Sequence, residues 1–307
     1  MNSKPIAPRV GPDHGSIPRS ADDTRPFGTH IQMAWWKSLI VIAAIPLTLL
    51  LLQLGFYFLA GLVEGGDPLE STLTPLKLLA ANLSTGLTAL LAVVLVSRFA
   101  RVPWRSVFSS PRPFDPRRLA IYFVGSVVLV GAGTAAVAAV APDATGWVGF
   151  GVSGTTVALL AVVVLSTPIQ SAGEEIMFRG AMLPAAASWF RAVRLAFIIG
   201  LVVSSLSFAV VHAASDRWLI GYYLFFSACT VLMGLITRGL EAAIAFHVAN
   251  NVVVTTVNVL LAGGGSLVVD RTEGAGGGPA LIIPAVVNLG VLGFVWLRER
   301  ARRKQVR

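Results

Sequence analysis

A pair of adjacent glutamates interrupts a long apolar run. Residues 171–180 read Ser-Ala-Gly-Glu-Glu-Ile-Met-Phe-Arg-Gly, within an apolar segment that extends from 153 to 189. An ionised group at the centre of a membrane helix costs about 2.5–3.5 kcal/mol on insertion scales, so it is normally retained where it lines a cavity or has a partner. Glu174 and Glu175 therefore predict a functional site inside a membrane-spanning segment.

The composition places the whole chain in a membrane. Of its 307 residues, 55% are hydrophobic and only 13% are charged, which is too little polar surface for a soluble domain. A spanning helix must cross a hydrocarbon core about 30 Å thick. Segments of that length are predicted at 38–62, 77–97, 119–141, 153–189, 195–213, 218–237, 240–262 and 280–297. The sequence thus predicts an all-α, polytopic bundle of about eight transmembrane helices.

The fourth of these segments is longer than one span requires. It contains Pro168 and Pro184, and proline removes a backbone donor inside a helix. We therefore expect this helix to be tilted, kinked or broken.

Lysine and arginine are distributed asymmetrically between the connections. They are concentrated in the N-terminal tail, in the 98–118 loop and after residue 297, whereas the segments around 64–70, at Asp143 and through 263–278 contain few. The positive-inside rule then predicts a multi-pass protein of the cell (inner) membrane with both termini cytoplasmic. The formal net charge of +9 follows from this rule and from attraction to anionic lipid, so no nucleic-acid partner is predicted.

The chain is predicted to contain one folded domain. Residues 1–34 lack apolar periodicity and predict a disordered cytoplasmic tail, residues 35–297 form the membrane domain, and residues 298–307 form a basic cytoplasmic tail. The single cysteine, Cys229, excludes an intramolecular disulfide framework.

Three polar clusters lie within the apolar runs. In the first, Glu175 and Arg179 are four residues apart and can pair on one helix face, while Glu174 points about 100° away and stays available. The other two have the same spacing, Phe208-Ala-Val-Val-His212 and His247-Val-Ala-Asn-Asn251. Each cluster alone has a structural interpretation: an ion pair, an interfacial histidine beside a packing Phe208, and an interhelical hydrogen bond. Their joint occurrence favours a site.

The three clusters, in this order on successive membrane helices, resemble the CPBP intramembrane proteases, which include the CAAX prenyl endopeptidases and the bacterial Abi proteins. The resemblance covers about 153–262. It implies an intramembrane, nominally metallo-, endopeptidase acting on a membrane-associated peptide or protein at the lipid bilayer. It also implies that Glu174 and His212 activate a water, that His247 and Asn251 stabilise the oxyanion, and that Glu175 with Arg179 supports the site.

The residue types suit this chemistry, because peptide hydrolysis needs a base for water and donors for the developing oxyanion. We therefore expect His212, His247 and Asn251 to converge on Glu174 within a single water-filled cavity. Two histidines and a glutamate are also a familiar zinc set, so zinc held by Glu174, His212 and His247 stays open beside a metal-free site.

Other functions remain open at this stage. An intact motif could belong to a non-catalytic immunity or sensor-modulating protein, and the same residues could form the proton relay of a transporter. Gly151-Val-Ser-Gly154 resembles the nucleophile element of rhomboid serine proteases, but the accompanying rhomboid histidine pattern is missing around His247. One geometric conflict also appears: the predicted orientation puts His212 near the outer end of its helix and His247 near the inner end of its own.

Overall fold

The computed structural model describes residues 21–305, and helices dominate it. The elements are α1 (Trp35–Glu64), β1 (Thr72–Leu73), α2 (Pro75–Ala100), α3 (Pro116–Val140), α4 (Gly154–Glu175), a π-helical segment (Ile176–Met182), α5 (Leu183–Ala187), α6 (Val193–Val211), α7 (Arg217–Thr237), α8 (Glu241–Leu260), β2 (Leu267–Val268) and α9 (Ile282–Gln305), with short 3₁₀ turns between some of them. Within these residues, eight helical segments are long and apolar enough to cross a membrane, α4 to α5 counting as one. The predicted all-α membrane bundle is confirmed.

Four connections meet at one end of the bundle, which we call the sheet end: 65–74, 141–153, 212–216 and 261–281. The first and last pair as the antiparallel strands β1 and β2, with Thr72 opposite Val268. Gly149 forms a bridge with Ala262, and the amide of Ser215 donates to the carbonyl of Arg271 at 3.0 Å. These contacts join all four connections into one surface.

The remaining connections meet at the opposite end, which we call the basic end: 21–34, 101–115, 188–192 and 238–240, with α9 from residue 298. Ser109 forms a bridge with Gly239. Arg25 Nη2 donates to the carbonyl of Arg191 at 2.8 Å, and His30 Nε2 donates to the carbonyl of Ser106 at 2.9 Å. The helices therefore alternate in direction between two well-separated ends.

The segment 21–34 differs from the expected disordered tail. Phe27, His30 and Ile31 are buried, and the amide of Gly28 donates to His30 Nδ1. The prediction was wrong for these residues because a few anchoring side chains, without helical periodicity, are enough to dock an irregular segment. Residues 1–20 lie outside the described residues, so the prediction stands untested there.

The C-terminal helix also extends further than predicted. α9 continues to Gln305, through most of the segment assigned to a basic tail. Glu299 is buried within it, accepts a hydrogen bond from Tyr122 and lies 2.6 Å from Arg118 Nη2. This contact ties α9 to α3 at Glu299, and the exposed residues 300–305 continue the same helix.

The long fourth span is interrupted directly after the two glutamates, where the π-helical segment begins. Pro168 lies inside α4 and Pro184 in the first turn of α5, so neither residue ends the span. A π segment widens the helix and is common at functional sites. Here the carbonyl of Phe178 accepts from Ser204 Oγ at 2.9 Å, which ties the segment to α6.

A glycine lets the basic end pack closely against the π segment. A Cβ at Gly180 would lie 2.8 Å from Val107 Cγ1 and 3.0 Å from the Val107 carbonyl oxygen. Only a residue without a side chain fits there without displacing the 101–115 connection. The bundle is consequently tightly packed between the glutamates and the basic end.

Candidate active site

Glu174 lies at the C-terminal end of α4 and is 7% exposed. Its Oε1 accepts a hydrogen bond from Gln170 Nε2, one helical turn earlier. Its Oε2 has no hydrogen-bond partner among residues 21–305. The carboxylate forms part of the wall of a cavity of about 640 Å³, and its buried Oε2 lies 3.5 Å from His247 Nε2.

Glu175 and Arg179 form the predicted ion pair, with Arg179 Nε 3.3 Å from Glu175 Oε2. Both side chains are buried, and the guanidinium lies 4.5 Å from the centre of the Phe208 ring. Three guanidinium nitrogens make no hydrogen bond within the described part of the chain. The arginine thus compensates the charge of Glu175 and leaves Glu174 without a guanidinium of its own.

His247 lies between the two glutamates. Its Nδ1 donates to Glu175 Oε1 at 2.7 Å, and its Nε2 is 3.5 Å from Glu174 Oε2. The imidazole is only 3% exposed and is not part of the cavity wall. The expectation of one shared cavity was therefore wrong for His247, because Glu174 separates it from the open space.

His212 follows the last residue of α6 and lines the cavity. Its Nδ1 donates to the carbonyl of Phe208 at 2.7 Å, and its ring centre is 4.1 Å from that of Tyr223. Arg271 Nη1 donates to the His212 carbonyl at 2.9 Å. These contacts fix the ring plane and leave Nε2, the other ring nitrogen, without a hydrogen bond to any residue of 21–305.

The structure adds Gln170, which the sequence analysis missed. Asn251 Nδ2 donates to Gln170 Oε1 at 3.2 Å, while Gln170 Nε2 donates to Glu174. One carboxamide therefore connects the glutamate with the asparagine, and all three residues line the cavity. The available signal was its position four residues before Glu174, on the same helix face.

Phe208 explains how the two histidines reach the same level of the bundle. Its ring centre is 4.6 Å from that of His212 and 6.0 Å from that of His247. The last turn of α6 and the second turn of α8 therefore both pack against one aromatic ring. The conflict noted from the sequence disappears, and Phe208 acts as the packing residue that was expected.

The expected zinc set is not assembled. Within residues 21–305, no group of three or more histidine, cysteine, aspartate or glutamate side chains could hold a metal ion. The donor arrangement of Glu174, His212 and His247 does not fit zinc, and no step proposed below passes through a metal.

Ser153, the rhomboid-like serine, has a structural role. It is the N-cap of α4, where its Oγ accepts from the amide of Thr156 at 3.2 Å and donates to the carbonyl of Gly264 at 2.6 Å. This serine is committed to capping and to holding the 261–281 connection, and it is not among the residues that line the cavity.

Comparison with known proteins agrees with this site. The model of one protein family, described as type II CAAX prenyl endopeptidase Rce1-like, matches residues 153–253. No curated protein and no solved structure matches the chain. The matched region contains all three motifs and every residue that surrounds Glu174 above, apart from Arg271. Residues 153–253 thus match the Rce1-like CAAX protease family, and the family resemblance predicted from the three motifs is confirmed.

Proposed function

We propose that this protein is an intramembrane endopeptidase that hydrolyses a peptide bond of a membrane-associated substrate with a water activated by Glu174 and His212. The observation that carries the proposal is the buried carboxylate of Glu174, which lies at the wall of a cavity and has no hydrogen-bond partner at Oε2 among residues 21–305. Buried acceptors are nearly always hydrogen-bonded, so one left free at a cavity needs an external partner. Water is the simplest such partner.

The water is held by two acceptors. Because His212 Nδ1 carries the proton donated to Phe208, Nε2 of the neutral ring is an acceptor facing the cavity. A water that donates one hydrogen to His212 Nε2 and the other to the Glu174 carboxylate has its oxygen lone pair free to attack a carbonyl carbon. Glu174 takes the proton as the new C–O bond forms.

The tetrahedral intermediate carries a negative oxygen that needs donors. Asn251 uses Nδ2 to bind Gln170, which fixes the carboxamide plane and leaves its second N–H free for the oxyanion. When the intermediate collapses, the peptide C–N bond breaks and the proton on Glu174 passes to the leaving amine. The carboxylate is regenerated, so the protons balance over one turnover.

His247, Glu175 and Arg179 position the base. The Nδ1 donation to Glu175 orients the imidazole, and Nε2 then faces Glu174 Oε2 across 3.5 Å. His247 therefore positions Glu174 from the side away from the cavity, and the oxyanion role implied by the resemblance passes to Asn251.

The two other functions lack a specific supporting observation. A transporter needs a polar path to both membrane faces, but the cavity wall includes no residue of the 101–115, 188–192 or 238–240 connections. An immunity or sensor-modulating protein does not need the unpartnered carboxylate. The endopeptidase uses every polar group found in the cluster.

The experiment measures peptide cleavage by the purified full chain in vesicles, with a quenched fluorescent peptide library as the probe. Glu174→Gln removes the base and keeps the shape, and Glu70→Gln is the matched control because Glu70 lines the same cavity near the sheet end. We expect cleavage by the wild type and the control but not by Glu174→Gln. Equal cleavage by all three would refute the proposal.

The same preparation tests zinc. Elemental analysis is expected to find no stoichiometric zinc, and cleavage is expected to survive dialysis against a chelator. One zinc per chain that disappears in His212→Ala would restore the metal site.

A further inference from the structure

The cavity extends from Glu174 to the sheet end of the bundle. Its wall includes residues of all four sheet-end connections, among them Glu70, Trp147, His212 and Arg271, and the remainder come from helices α1, α2, α4 and α8, the start of α7 and the end of α6. None comes from the connections of the basic end. Met177, Phe178 and Met182, which follow the glutamates toward that end, are fully buried. Substrate therefore reaches Glu174 from the sheet end.

The two ends carry opposite charge. Among the described residues, the sheet end and its flanking helix turns contain seven acidic and three basic side chains: Glu64, Asp67, Glu70, Asp143, Asp216, Asp270 and Glu273 against Lys77, Arg217 and Arg271. The basic end contains sixteen lysines and arginines against five acids: Arg25, Lys37, Arg98, Arg101, Arg105, Arg112, Arg117, Arg118, Arg191, Arg194, Arg238, Arg298, Arg300, Arg302, Arg303 and Lys304 against Asp22, Asp23, Asp115, Glu241 and Glu299.

This distribution orients the cavity. Short connections rich in lysine and arginine stay on the cytoplasmic side, and the rule counts the basic residues rather than the net charge. With sixteen basic residues at one end and three at the other, the basic end is cytoplasmic and the sheet end is extracytoplasmic. The cavity mouth then opens away from the cytoplasm.

The cavity size limits the shape of the substrate. An α-helix with its side chains is about 10–12 Å across, so 640 Å³ accommodates only about one helical turn. A transmembrane helix cannot enter intact. A short extended segment can, and the strands β1 and β2, which contribute Leu73 and Leu267 to the wall, offer a sheet edge along which such a segment can lie.

We infer that the substrate is a short, non-helical, extracytoplasmic segment of a membrane-anchored protein, and not a prenylated C-terminus presented from the cytoplasm. That this segment is a substrate rests on the proposed protease function. The orientation of the cavity is independent of it.

Cysteine labelling tests the orientation. The only native cysteine, Cys229, is buried, so the wild type serves as the unlabelled background. Leu69→Cys and Val148→Cys place an exposed thiol at the cavity mouth, and Trp104→Cys and Ala301→Cys place one at the basic end. Intact cells carrying the full chain in a bacterial inner membrane, with the outer membrane made permeable, are treated with a membrane-impermeant maleimide before and after the inner membrane is permeabilised.

We expect both cavity-mouth variants to label fully in intact cells, with no gain on permeabilisation, and both basic-end variants to label only afterwards. The reverse pattern, or labelling of both ends in intact cells, overturns the inference. Two variants at each end keep the answer available if one fails to accumulate. Reversed labelling with an active wild type would refute only the orientation, whereas correct labelling with cleavage unaffected by Glu174→Gln would refute only the proposed function.

Discussion

Two buried glutamate clusters in this protein are bonded in opposite ways. At the basic end, both carboxylate oxygens of Glu241 accept from Arg112, and the amide of Asp115 donates to Oε1 at 2.9 Å. The same guanidinium also donates to the carbonyl of Thr237. In the candidate site, Glu174 keeps one oxygen without a partner, and Arg179 makes no hydrogen bond within the described residues.

The difference separates a structural cluster from a reactive one. An ion pair whose donors and acceptors all have partners holds elements together and has no hydrogen-bonding group left for a substrate. Unpaired buried polar atoms lower stability and are retained where they have another role. The long apolar run singles out Glu174 and Glu175 in the sequence, but only the structure shows that Glu241 is paired with Arg112, 129 positions away. The predictions below alter one cluster and use the other as its reference.

The largest effect is expected on activity. Glu174→Gln removes the base and should lower the cleavage rate by about 10²–10⁴-fold, the range typical for a general base. Glu241→Gln should leave the rate of the folded fraction unchanged and lower the thermal stability in detergent, since it weakens the charge-assisted contacts with Arg112. Cleavage rates and melting curves of both variants test whether one loses activity and the other loses stability. A melting temperature that falls equally in the two variants would contradict it.

The next effect concerns stability within the candidate site. Arg179→Ala leaves Glu175 buried without its cation, and breaking a buried pair costs about 3–5 kcal/mol. Glu174→Ala should cost far less, because Glu174 contacts the cavity and does not compensate Arg179 at close range. Thermal unfolding of the two variants in the same detergent measures the difference, and equal stability would show that Arg179 is not the counter-ion of Glu175.

A smaller effect is expected for the oxyanion donor. Asn251→Ala should lower the cleavage rate by about 10²–10³-fold, as for the loss of one such donor, with little change in stability. Asn250→Ala is the matched control, because Asn250 contacts the site only through Asn251 Oδ1 and is not in the cavity wall. Comparable rates for the two variants would remove Asn251 from the mechanism.

The smallest effect concerns the fully hydrogen-bonded His30 at the basic end. Both ring nitrogens of His30 are hydrogen-bonded in a neutral form, and burial holds its pKa below the ordinary value of 6.5. Below about pH 6.5 the unfolded chain binds a proton that the folded chain excludes. The free energy of unfolding should therefore decrease as the pH is lowered, by at most about 1.4 kcal/mol per pH unit. This loss should be absent in His30→Gln, as melting curves from pH 8 to pH 5 would show.

The sequence by itself determined the membrane class, the eight spans and the local pairs. The lengths of the apolar runs predict the spans, and the Glu175–Arg179 and Phe208–His212 contacts follow from a spacing of four residues on one helix. The order of the three motifs was enough for the family. The prediction was wrong where no apolar periodicity exists, in residues 21–34, which dock through Phe27, His30 and Ile31.

Only the tertiary structure decided how the pairs combine. It placed His247 between the two glutamates and behind the cavity wall, connected Gln170 with Asn251, and put the cavity mouth at the acidic end. These relations join residues up to 81 positions apart on different helices. Hydropathy and helical spacing fix the length of a span and the face on which a side chain lies, but the rotation and depth of one helix against another come from side-chain packing, such as that around Phe208.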